Sequence, residues 1–379
     1  MARIAATLRT GVNQRIALVS PYALSVFGGV QEQALGMSRE LSRRGHDVLL
    51  LAPDVNDHNN YDTPAFVQRY GRIWSMPANG SRAPLTLSPL AARMVRTSLK
   101  NFRPDVVHYH EPFAPFFSWS ALRAHGAPAV ATFHRSGGGP ALTYTGPLLR
   151  WLAHRIDVSV AVSEAAASTI ARAANVNAQV LYNGFEIERF AQTPRERSAQ
   201  TTLLFIGRFE ERKGLQYLIG AVMRHNSRGE NLWRLVVLGD GPERAELETQ
   251  ASRDPMIIFV GAASDTDKRS WLRRANVLVA PSTRGESFGM ILLEGMASEI
   301  SVVASDIDGY REAVGDFGQL VSPGDDVALE HAITTSLEGE TGESIAAAKQ
   351  HADHWSMSRL MDEYEVVYDA ARQRFQSAK

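Results

Sequence analysis

Two cations follow an apolar run in the second half of the chain. Arg208 and Lys213 come just after residues 203–207, whose composition is typical of a buried strand. Guanidinium and ammonium groups at the end of a strand can form charge-assisted hydrogen bonds with a diphosphate. The alternative is pairing with Glu210 and Glu211, but exposed ion pairs contribute only ~0–1 kcal/mol. The pattern therefore favours an anion site.

Two glutamates accompany a glycine-containing loop further along the chain. Glu286 lies in the predicted loop, and Glu294 lies about a turn and a half inside the helix that follows. The first turn of that helix, at Gly289, Met290 and Ile291, offers backbone N–H groups to a phosphate. Carboxylates accept hydrogen bonds from sugar hydroxyls instead. Together with the cations, this segment suits a ligand that carries both a diphosphate and sugars.

Glycine pairs mark two further loops. Gly28-Gly29 precedes a helical segment, where it lets the backbone approach an anion, although such pairs are also common in plain turns. Gly239-x-Gly241 has Arg244 where a dinucleotide fingerprint needs a third glycine, and no G-x-x-x-x-G-K-[ST] motif occurs. NAD sites and Walker-type ATP sites are therefore disfavoured.

Histidines follow or end two apolar runs in the first half. His134 follows residues 129–133, and it can act as an acid or base, as a hydrogen-bonding group, or as a structural residue. His108 and His110 share one face of a predicted strand, which permits a metal pair. Because the sequence offers no evident third ligand, we predict no metal.

Short apolar runs alternate with helical segments in two successive series. This alternation predicts an α/β protein with two Rossmann-like, doubly wound domains whose ligand-binding edges face each other across a cleft. The predicted strands are residues 15–20, 46–52, 105–109, 129–133, 158–162 and 179–182, then 203–207, 235–238, 257–260, 277–280, 301–304 and 319–321.

The same patterns predict four segments. Residues 1–14 form a disordered extension, residues 15–182 the first domain and residues 183–354 the second, with the best candidate linker at 192–200. Residues 355–379 carry a long amphipathic helix from Met357 to Phe375, with apolar residues on one face from Leu360 to Ala371.

Composition excludes several classes of protein. The 379 residues are 44% hydrophobic and 21% charged, which is ordinary for a globular chain and leaves ample core for two domains. The net charge of -1 gives no general attraction to nucleic acid. The absence of cysteine removes disulfides, thiolate nucleophiles and cysteine-ligated metals, and fits a reducing compartment.

These motifs, in this order, resemble glycosyltransferases of the GT-B fold, family 4. Over nearly its whole length the chain is similar to the actinobacterial phosphatidyl-myo-inositol α-mannosyltransferases. The resemblance rests on Tyr22 with Gly28-Gly29-Val-Gln31, His110-Glu-Pro, Ala-Thr-Phe-His134, Asn183-Gly184, Gly207-Arg208 through Lys213-Gly214, Gly239-Asp-Gly241, and Glu286 through Glu294.

The resemblance implies that the C-terminal helix, in residues 355–379, crosses back to pack on the first domain. It also implies retaining transfer of a sugar from a nucleotide-sugar to an acceptor, without a required cofactor or metal. Its preferred form is mannose transfer from GDP-mannose to phosphatidyl-myo-inositol by a cytoplasmic enzyme that can sit on the inner face of the plasma membrane. A UDP-sugar donor, or another lipid, glycan or small-molecule acceptor, stays open. Rivals of another class are a nucleotide-sugar epimerase, a glycosidase that uses two carboxylates, and a binding protein without turnover.

The resemblance also assigns roles to individual residues. Arg208 and Lys213 would neutralise the departing diphosphate, and Gly29 would let the first helix of the chain cap it. Glu286 and His134 would contact the donor sugar. The remaining matches are Glu294 at the ribose, Lys268 at the nucleotide, Gly289, Met290 and Ile291 at the phosphates, and Tyr22 and Gln31 on the acceptor side.

A basic amphipathic helix is predicted between Pro89 and Pro104. Its cations recur at three, four and three residues, beside apolar side chains such as Leu90 and Met94. Such a helix could bind anionic lipid, each cation near the surface contributing ~1 kcal/mol. The alternative is an ordinary solvated helix face. The cations are Arg93, Arg96, Lys100 and Arg103.

Two segments depart from the family pattern. Glu299 stands where a positive φ could be required, which raises a question of backbone strain. Arg135-Ser-Gly137-Gly-Gly139 replaces a polar, lysine-containing loop of the mannosyltransferases, which puts the acceptor in question.

Overall fold

The structure, a computed structural model, describes residues 13–24, 28–54, 64–78, 81–123, 126–135, 145–191, 200–229, 231–286 and 288–378. The chain divides into two compact units. The first unit comprises the chain up to Leu181 together with the segment from Met361 onward, and the second is Tyr182–Leu360. The proposed linker at 192–199 and residues 1–12 of the extension lie outside the described residues. Gln14, at the end of that extension, accepts a backbone hydrogen bond from Asp47 at 2.9 Å.

The first unit is built on a seven-stranded parallel sheet of order β3-β2-β1-β6-β7-β8-β9. Every residue of β6 and β7 is buried, as expected for strands covered on both faces. The strands are β1 Arg15–Val19, β2 Asp47–Asp54, β3 Val67–Arg72, the antiparallel hairpin β4 Trp74–Ala78 and β5 Ser81–Leu85, β6 Val106–His110, β7 Ala129–Phe133, β8 Val158–Ala161 and β9 Gln179–Val180.

Helices connect the strands of the first unit. They are α1 Gly29–Arg43, α2 Pro89–Phe102, α3 Phe117–Leu122, α4 Gly146–Ala153 and α5 Glu164–Ala174. Helix α2 begins where its sequence dictates, because Ser88 accepts a hydrogen bond from the Ala91 N–H and Pro89 occupies the first turn. It ends at Arg103 in the left-handed region, with φ 51°.

The second unit contains a six-stranded parallel sheet of order β12-β11-β10-β13-β14-β15. Its strands are β10 Thr202–Ile206, β11 Arg234–Leu238, β12 Ile257–Gly261, β13 Val277–Ala280, β14 Ser301–Ser305 and β15 Gln319–Val321. Its helices are α6 Glu188–Ala191, a 3₁₀ turn Glu211–Lys213, α7 Leu215–Asn226, α8 Arg244–Ala251, α9 Asp265–Arg274, α10 Met290–Ala297, α11 Asp308–Val314, α12 Asp326–Glu338 and α13 Gly342–Asp353.

Both sheets reverse their strand order beside their first strand. In the first unit β1 lies between β2 and β6, and in the second β10 lies between β11 and β13. Ligands of open α/β sheets bind outside the carboxyl ends of the strands at such a switch point. The loops after β6, β7, β10 and β13 are therefore the places to look for a site.

A final helix, α14, spans Met357–Ser377 and belongs to the second unit at its start and to the first unit from Met361. Its apolar face is buried, as the sequence predicts, at Leu360, Met361, Tyr364, Val367, Tyr368 and Ala371. Arg44, at the end of α1, donates hydrogen bonds from Nη1 to two residues of α14, Asp362 (2.8 Å) and Glu365 (2.7 Å).

The predicted strands all form, but β3 and the β4–β5 hairpin were not predicted. Strand β3 has the sequence Val-Gln-Arg-Tyr-Gly-Arg and none of its residues is fully buried, so it lacks the apolar run by which the others were found. Glu299 adopts φ 62°, so this non-glycine residue does occupy the left-handed region that its departure from the family pattern called into question, and its carboxylate pairs with Lys349 at 2.5 Å.

Candidate functional site

The anion-binding candidates of the second unit form a cluster with Glu286. Lys213 Nζ lies 2.6 Å and Arg212 Nη1 2.9 Å from Glu286 Oε1. Arg208 Nε lies 3.0 Å from Glu210 Oε1, and Arg212 Nε contacts Glu210 Oε2 at 2.9 Å. Arg208 thus makes the ion pair with Glu210 that the sequence left as the alternative to an anion site, whereas Lys213 pairs with Glu286. The cluster brings cations and a carboxylate to the loops after β10 and β13.

Glycines allow these loops to pack closely. Gly214 has φ 70°, and a Cβ there would lie 2.0 Å from the Pro281 carbonyl oxygen. A Cβ on Gly239 would lie 1.8 Å from the Gly207 carbonyl oxygen, and one on Gly241 would lie 2.4 Å from that of Phe209. The Gly239-x-Gly241 pair therefore serves the close packing of backbone against the strand β10 loop.

Helix α10 begins beside the same cluster. Its N-cap, Gly289, has φ 72°, and a Cβ there would lie 2.6 Å from the ring of Tyr310. The Tyr310 hydroxyl and the Ser282 hydroxyl lie 2.9 Å apart, and Ser282 Oγ donates to Glu286 Oε1 at 3.4 Å. The first N–H groups of a helix lack intrahelical acceptors, so those of Met290 and Ile291 stay candidates for the predicted phosphate contact.

Lys268 and Glu294 form a second, buried pair in this unit. Lys268 Nζ on α9 lies 3.0 Å from each carboxylate oxygen of Glu294 on α10, and both residues are 4% exposed. Lys268 Nζ also lies 5.4 Å from the centroid of the Phe190 ring. The sequence assigned both residues to the nucleotide, and the structure shows that they contact each other.

His134 of the first unit lies in a cluster of imidazoles. Its Nε2 lies 3.0 Å from His110 Nδ1, and the rings of His108 and His110 stack 4.7 Å apart. The Glu111 carboxylate accepts the backbone N–H groups of His134 (2.5 Å) and Arg135 (2.7 Å). Burial raises the pKa of Glu111, although these two hydrogen bonds oppose the shift.

Glu111 was not selected as a functional residue from the sequence. Its φ of 46° is unusual for a non-glycine residue, and its carboxylate fixes the backbone that carries His134. The signal available was its place in His110-Glu-Pro, at the end of a buried strand.

Tyr22, Gln31 and Gly29 stand where the chain enters α1. Burial, and then the charge of Glu111, raise the pKa of the Tyr22 phenol. Gln31 is buried and its Nε2 lies 3.5 Å from the Ala23 carbonyl oxygen. A Cβ on Gly29 would meet no atom of the described residues within 4 Å.

The basic residues of α2 lie on its exposed face. Ala91, Val95 and Leu99 face the core, whereas Arg93, Arg96, Lys100 and the C-cap Arg103 are exposed. Two of the apolar residues expected beside them, Leu90 and Met94, are also exposed, at 66% and 40%. Helix α2 and strand β3 flank a groove of about 640 Å³ lined by Leu90, Arg93, Met94, Phe102, Gln68 and Tyr70.

Family models match both halves of the chain: "Glycosyltransferase Family 4" over residues 27–189 and "Glycosyl transferases group 1" over residues 200–339. A phosphatidyl-myo-inositol mannosyltransferase of Mycobacterium leprae is 36% identical over 369 residues, covering 93% of this chain and 97% of the relative. The chain belongs to glycosyltransferase family 4. It is a glycosyltransferase.

Solved structures establish the fold of this glycosyltransferase. A Rickettsia africae glycosyltransferase matches with a TM-score of 0.70 at 17% identity, covering 95% of this chain and 98% of that one. The Anabaena protein Alr3699/HepE in complex with UDP and glucose matches with a TM-score of 0.69 at 20% identity, covering 94% and 100%. The two Rossmann-like units are therefore those of the GT-B fold, as the sequence predicts.

Neither a membrane-spanning helix nor a metal-binding cluster is found in the described part of this glycosyltransferase. None of its helices there combines the length and apolar composition that spanning a bilayer requires. Within the same ranges, no group of three or more His, Asp or Glu side chains is arranged to hold a metal ion.

Proposed function

We propose that this glycosyltransferase transfers mannose from GDP-mannose to phosphatidyl-myo-inositol with retention of anomeric configuration. The observation that carries the proposal is the 36% identity with a phosphatidyl-myo-inositol mannosyltransferase over 97% of that relative. Identity over the full length extends through both units, and so through both the proposed donor-binding and acceptor-binding halves.

The second unit would bind the nucleotide-sugar. Arg208 and Lys213 lie in one cluster of charged side chains, where they can stabilise the negative charge that develops on the departing diphosphate. Backbone N–H groups at the start of α10, from Gly289 to Ile291, add donors to the same phosphates. Glu286 would accept hydroxyls of the sugar, and Glu294 those of the ribose.

The first unit would hold the acceptor, with Tyr22 and Gln31 near the inositol and Gly29 near the phosphates. In the proposed step the bond from the anomeric carbon to the leaving phosphate oxygen breaks. The acceptor hydroxyl oxygen forms its bond to that carbon on the same face, and its proton passes to the leaving phosphate. Glu286 takes no part in bond breaking and acts only as a hydrogen-bond acceptor for the sugar; in the structure its carboxylate pairs with Lys213 and Arg212.

Product analysis tests donor and acceptor together. The purified full chain is incubated with phosphatidylinositol vesicles and, in separate reactions, GDP-mannose, UDP-glucose or UDP-N-acetylglucosamine. We expect mass spectrometry to find one added hexose on the lipid with GDP-mannose alone. Transfer from a UDP-sugar, or unmodified lipid with every donor, would refute the assignment, and epimerised donor in acceptor-free reactions would indicate an isomerase.

We further propose that the enzyme reaches its lipid by binding anionic membrane through α2. The four exposed cations lie beside exposed Leu90 and Met94, so charge and apolar surface occur on the same helix. The groove between α2 and β3 enlarges the surface that lipid could cover. Each cation near an anionic surface contributes about 1 kcal/mol.

Charge reversal tests the membrane surface. We expect Arg93→Glu, Arg96→Glu and Lys100→Glu together to abolish sedimentation with phosphatidylserine-containing liposomes and to leave GDP-mannose binding unchanged. The matched control reverses three exposed cations on the second unit, Arg253, Arg274 and Arg284, and should sediment as the unmodified chain does. Unchanged sedimentation of the α2 variant would reject this role.

A further inference from the structure

Three histidines lie side by side on β6 and just after β7. His110 is fully buried, and its Nδ1 lies 3.0 Å from His134 Nε2. The other nitrogen of His110, Nε2, is buried and has no hydrogen-bond partner among the described residues. The two rings therefore share a single hydrogen bond, and one of them must be its donor.

Burial keeps both rings neutral. It lowers the pKa of His110 to about 3, and it lowers that of His134 well below its usual range, with His110 adding to the shift. The other titratable groups around them are His108, Glu111, Arg135, Tyr364 and Tyr368. A neutral imidazole carries one N–H, so the position of that hydrogen on His110 decides its position on His134.

Either His110 or His134 can donate the shared hydrogen bond, and the unpartnered nitrogen of His110 indicates which ring does so. If His110 accepted the shared hydrogen bond, its N–H would sit on Nε2 with no acceptor in the described surroundings. Buried N–H groups without an acceptor are rarer than acceptors that lack a donor. The favoured arrangement places the hydrogen on His110 Nδ1, donating to His134 Nε2.

We infer that His110 is a positioning residue that holds His134 as its Nδ1–H tautomer, so that His134 offers substrate a hydrogen-bond donor and not a base. The accepting lone pair of His134, on Nε2, is occupied by the hydrogen of His110 Nδ1, and Nδ1 of His134 carries the hydrogen of that ring. Glu111 supports the arrangement by holding the backbone N–H of His134 at 2.5 Å.

The inference deepens the proposed function and rests on it only where His134 is said to contact substrate. A donor at His134 can bind a hydroxyl or ring oxygen of a sugar, but it cannot take the proton of the acceptor hydroxyl. That proton must then go elsewhere, which agrees with its transfer to the leaving phosphate. We therefore expect no limb in the pH profile of kcat that depends on His134.

Nuclear magnetic resonance tests the tautomer without any substrate. The full chain is labelled with ¹⁵N-histidine, and two-bond ¹H–¹⁵N correlations are recorded at neutral pH, with His134 assigned from the signals missing in His134→Gln. We expect protonated Nδ1 and unprotonated Nε2 at His134. A protonated Nε2 would overturn the inference, whatever the enzyme transfers.

A pair of variants tests the positioning role in transfer assays. His110→Asn places an amide nitrogen close to the position of Nδ1, whereas His110→Leu offers no donor. We expect His110→Asn to keep at least tenfold more transfer than His110→Leu, with His354→Leu, an exposed histidine, as an unaffected control. Equal losses in folded His110 variants would contradict the positioning role, and the tautomer measurement decides if His110→Leu does not fold.

A failure of the proposed function has a different signature. If His134 is the Nδ1–H tautomer but no donor yields product, the inference about the ring stands and the substrate assignment is wrong. If transfer occurs and His134 carries its hydrogen on Nε2, the substrate assignment stands and the inference is wrong.

Discussion

Glu286 is the residue on which two cations of the second unit converge, and its carboxylate balances them without a ligand. A diphosphate that binds Lys213 and Arg208 would compete for this pairing, releasing Glu286 to accept sugar hydroxyls. In the proposed function the side chain would thus couple the phosphate end of the donor to its sugar end. Such a role needs the loops after β10 and β13 in close contact, which Gly214 permits.

We expect Glu286→Ala and Arg208→Ala each to reduce transfer by at least about 10²-fold, the scale seen when one group that stabilises transition-state charge is removed. The measurement is the initial rate of lipid mannosylation at saturating donor. Arg311→Ala removes an exposed arginine that pairs with Asp306 and Asp308, and its rate should stay close to that of the unmodified enzyme. Near-normal rates for Glu286→Ala or Arg208→Ala would refute the assignment.

A substitution at Gly29 distinguishes a role in ligand binding from a role in folding. Because a Cβ there meets no described atom within 4 Å, Gly29→Ala should leave the melting temperature unchanged. If the backbone at this position approaches the diphosphate, the added methyl group should raise the KM for the donor at least tenfold. Gly214→Ala is the contrasting variant, since its Cβ would lie 2.0 Å from a carbonyl oxygen, and it should lower the melting temperature.

Candidate site residues could be selected from the sequence, but most of their contacts in the structure could not be predicted. Arg208, Lys213, Glu286 and His134 follow strands, so the position of strand ends sufficed to select them. The pairing of Lys268 with Glu294 joins residues 26 apart in the chain, and no local pattern indicates it. The hydrogen bond between His110 and His134 likewise requires β6 and β7 to be neighbours in register.

At the scale of elements, helix α14 completes the core of the first unit with polar as well as apolar contacts. The Tyr368 hydroxyl lies 2.9 Å from His108 Nδ1, and the Tyr364 hydroxyl lies 2.8 Å from Thr132 Oγ1. His108 Nε2 and Thr132 Oγ1 lie 2.7 Å apart, which closes a buried chain of four side chains. The helix is thereby linked to β6 and β7, the strands that position the histidines.

We expect Tyr368→Phe to lower the free energy of unfolding by about 1–3 kcal/mol, because it leaves a buried nitrogen of His108 without its partner. Urea denaturation at neutral pH measures the change. Tyr70→Phe is the matched control: its hydroxyl bonds Gln68 and Ser98 near the surface, so its effect should stay within about 0.5 kcal/mol. Equal effects of the two variants would contradict the stabilising role of the buried chain.

Buried strands and α14 were predictable because their apolar residues repeat at strand or helix spacing. The final helix was expected from Met357 to Phe375 and is observed from Met357 to Ser377. Strand β3 was not predicted because its side chains stay partly exposed and leave no apolar pattern in the sequence. Backbone hydrogen bonds to β2 stabilise it instead. The sequence predicts strand β2, with which β3 pairs, but it does not indicate that a further strand lies at that edge of the sheet.

At the scale of the whole molecule, the buried histidines give the fold a dependence on pH. Burial lowers the pKa values of His108, His110 and His134 in the folded chain, while an unfolded histidine titrates near 6.5. Between about pH 6.5 and the lowered values the unfolded state binds more protons, so stability falls as pH falls. The raised pKa of Glu111 acts in the opposite direction.

We expect the free energy of unfolding to drop by about 1 kcal/mol per pH unit for each of these histidines between about pH 6 and pH 5. Urea titrations at several pH values measure the slope. His110→Gln should give a shallower slope than the unmodified chain, and His354→Gln, at the surface, should not change it. A slope that is the same in all three proteins would contradict the buried, neutral state of His110.

The first unit is formed by two separate stretches of the chain, so its last helix is synthesised well after the rest of the unit. The core around His108 and Thr132 waits for Tyr364 and Tyr368, which the ribosome adds only after the 179 residues of Tyr182–Leu360. At ~5–20 residues per second this delay is roughly 10–35 s. During that interval the nascent first unit lacks the buried apolar face of α14, so the surface that this face covers in the complete chain is open to solvent.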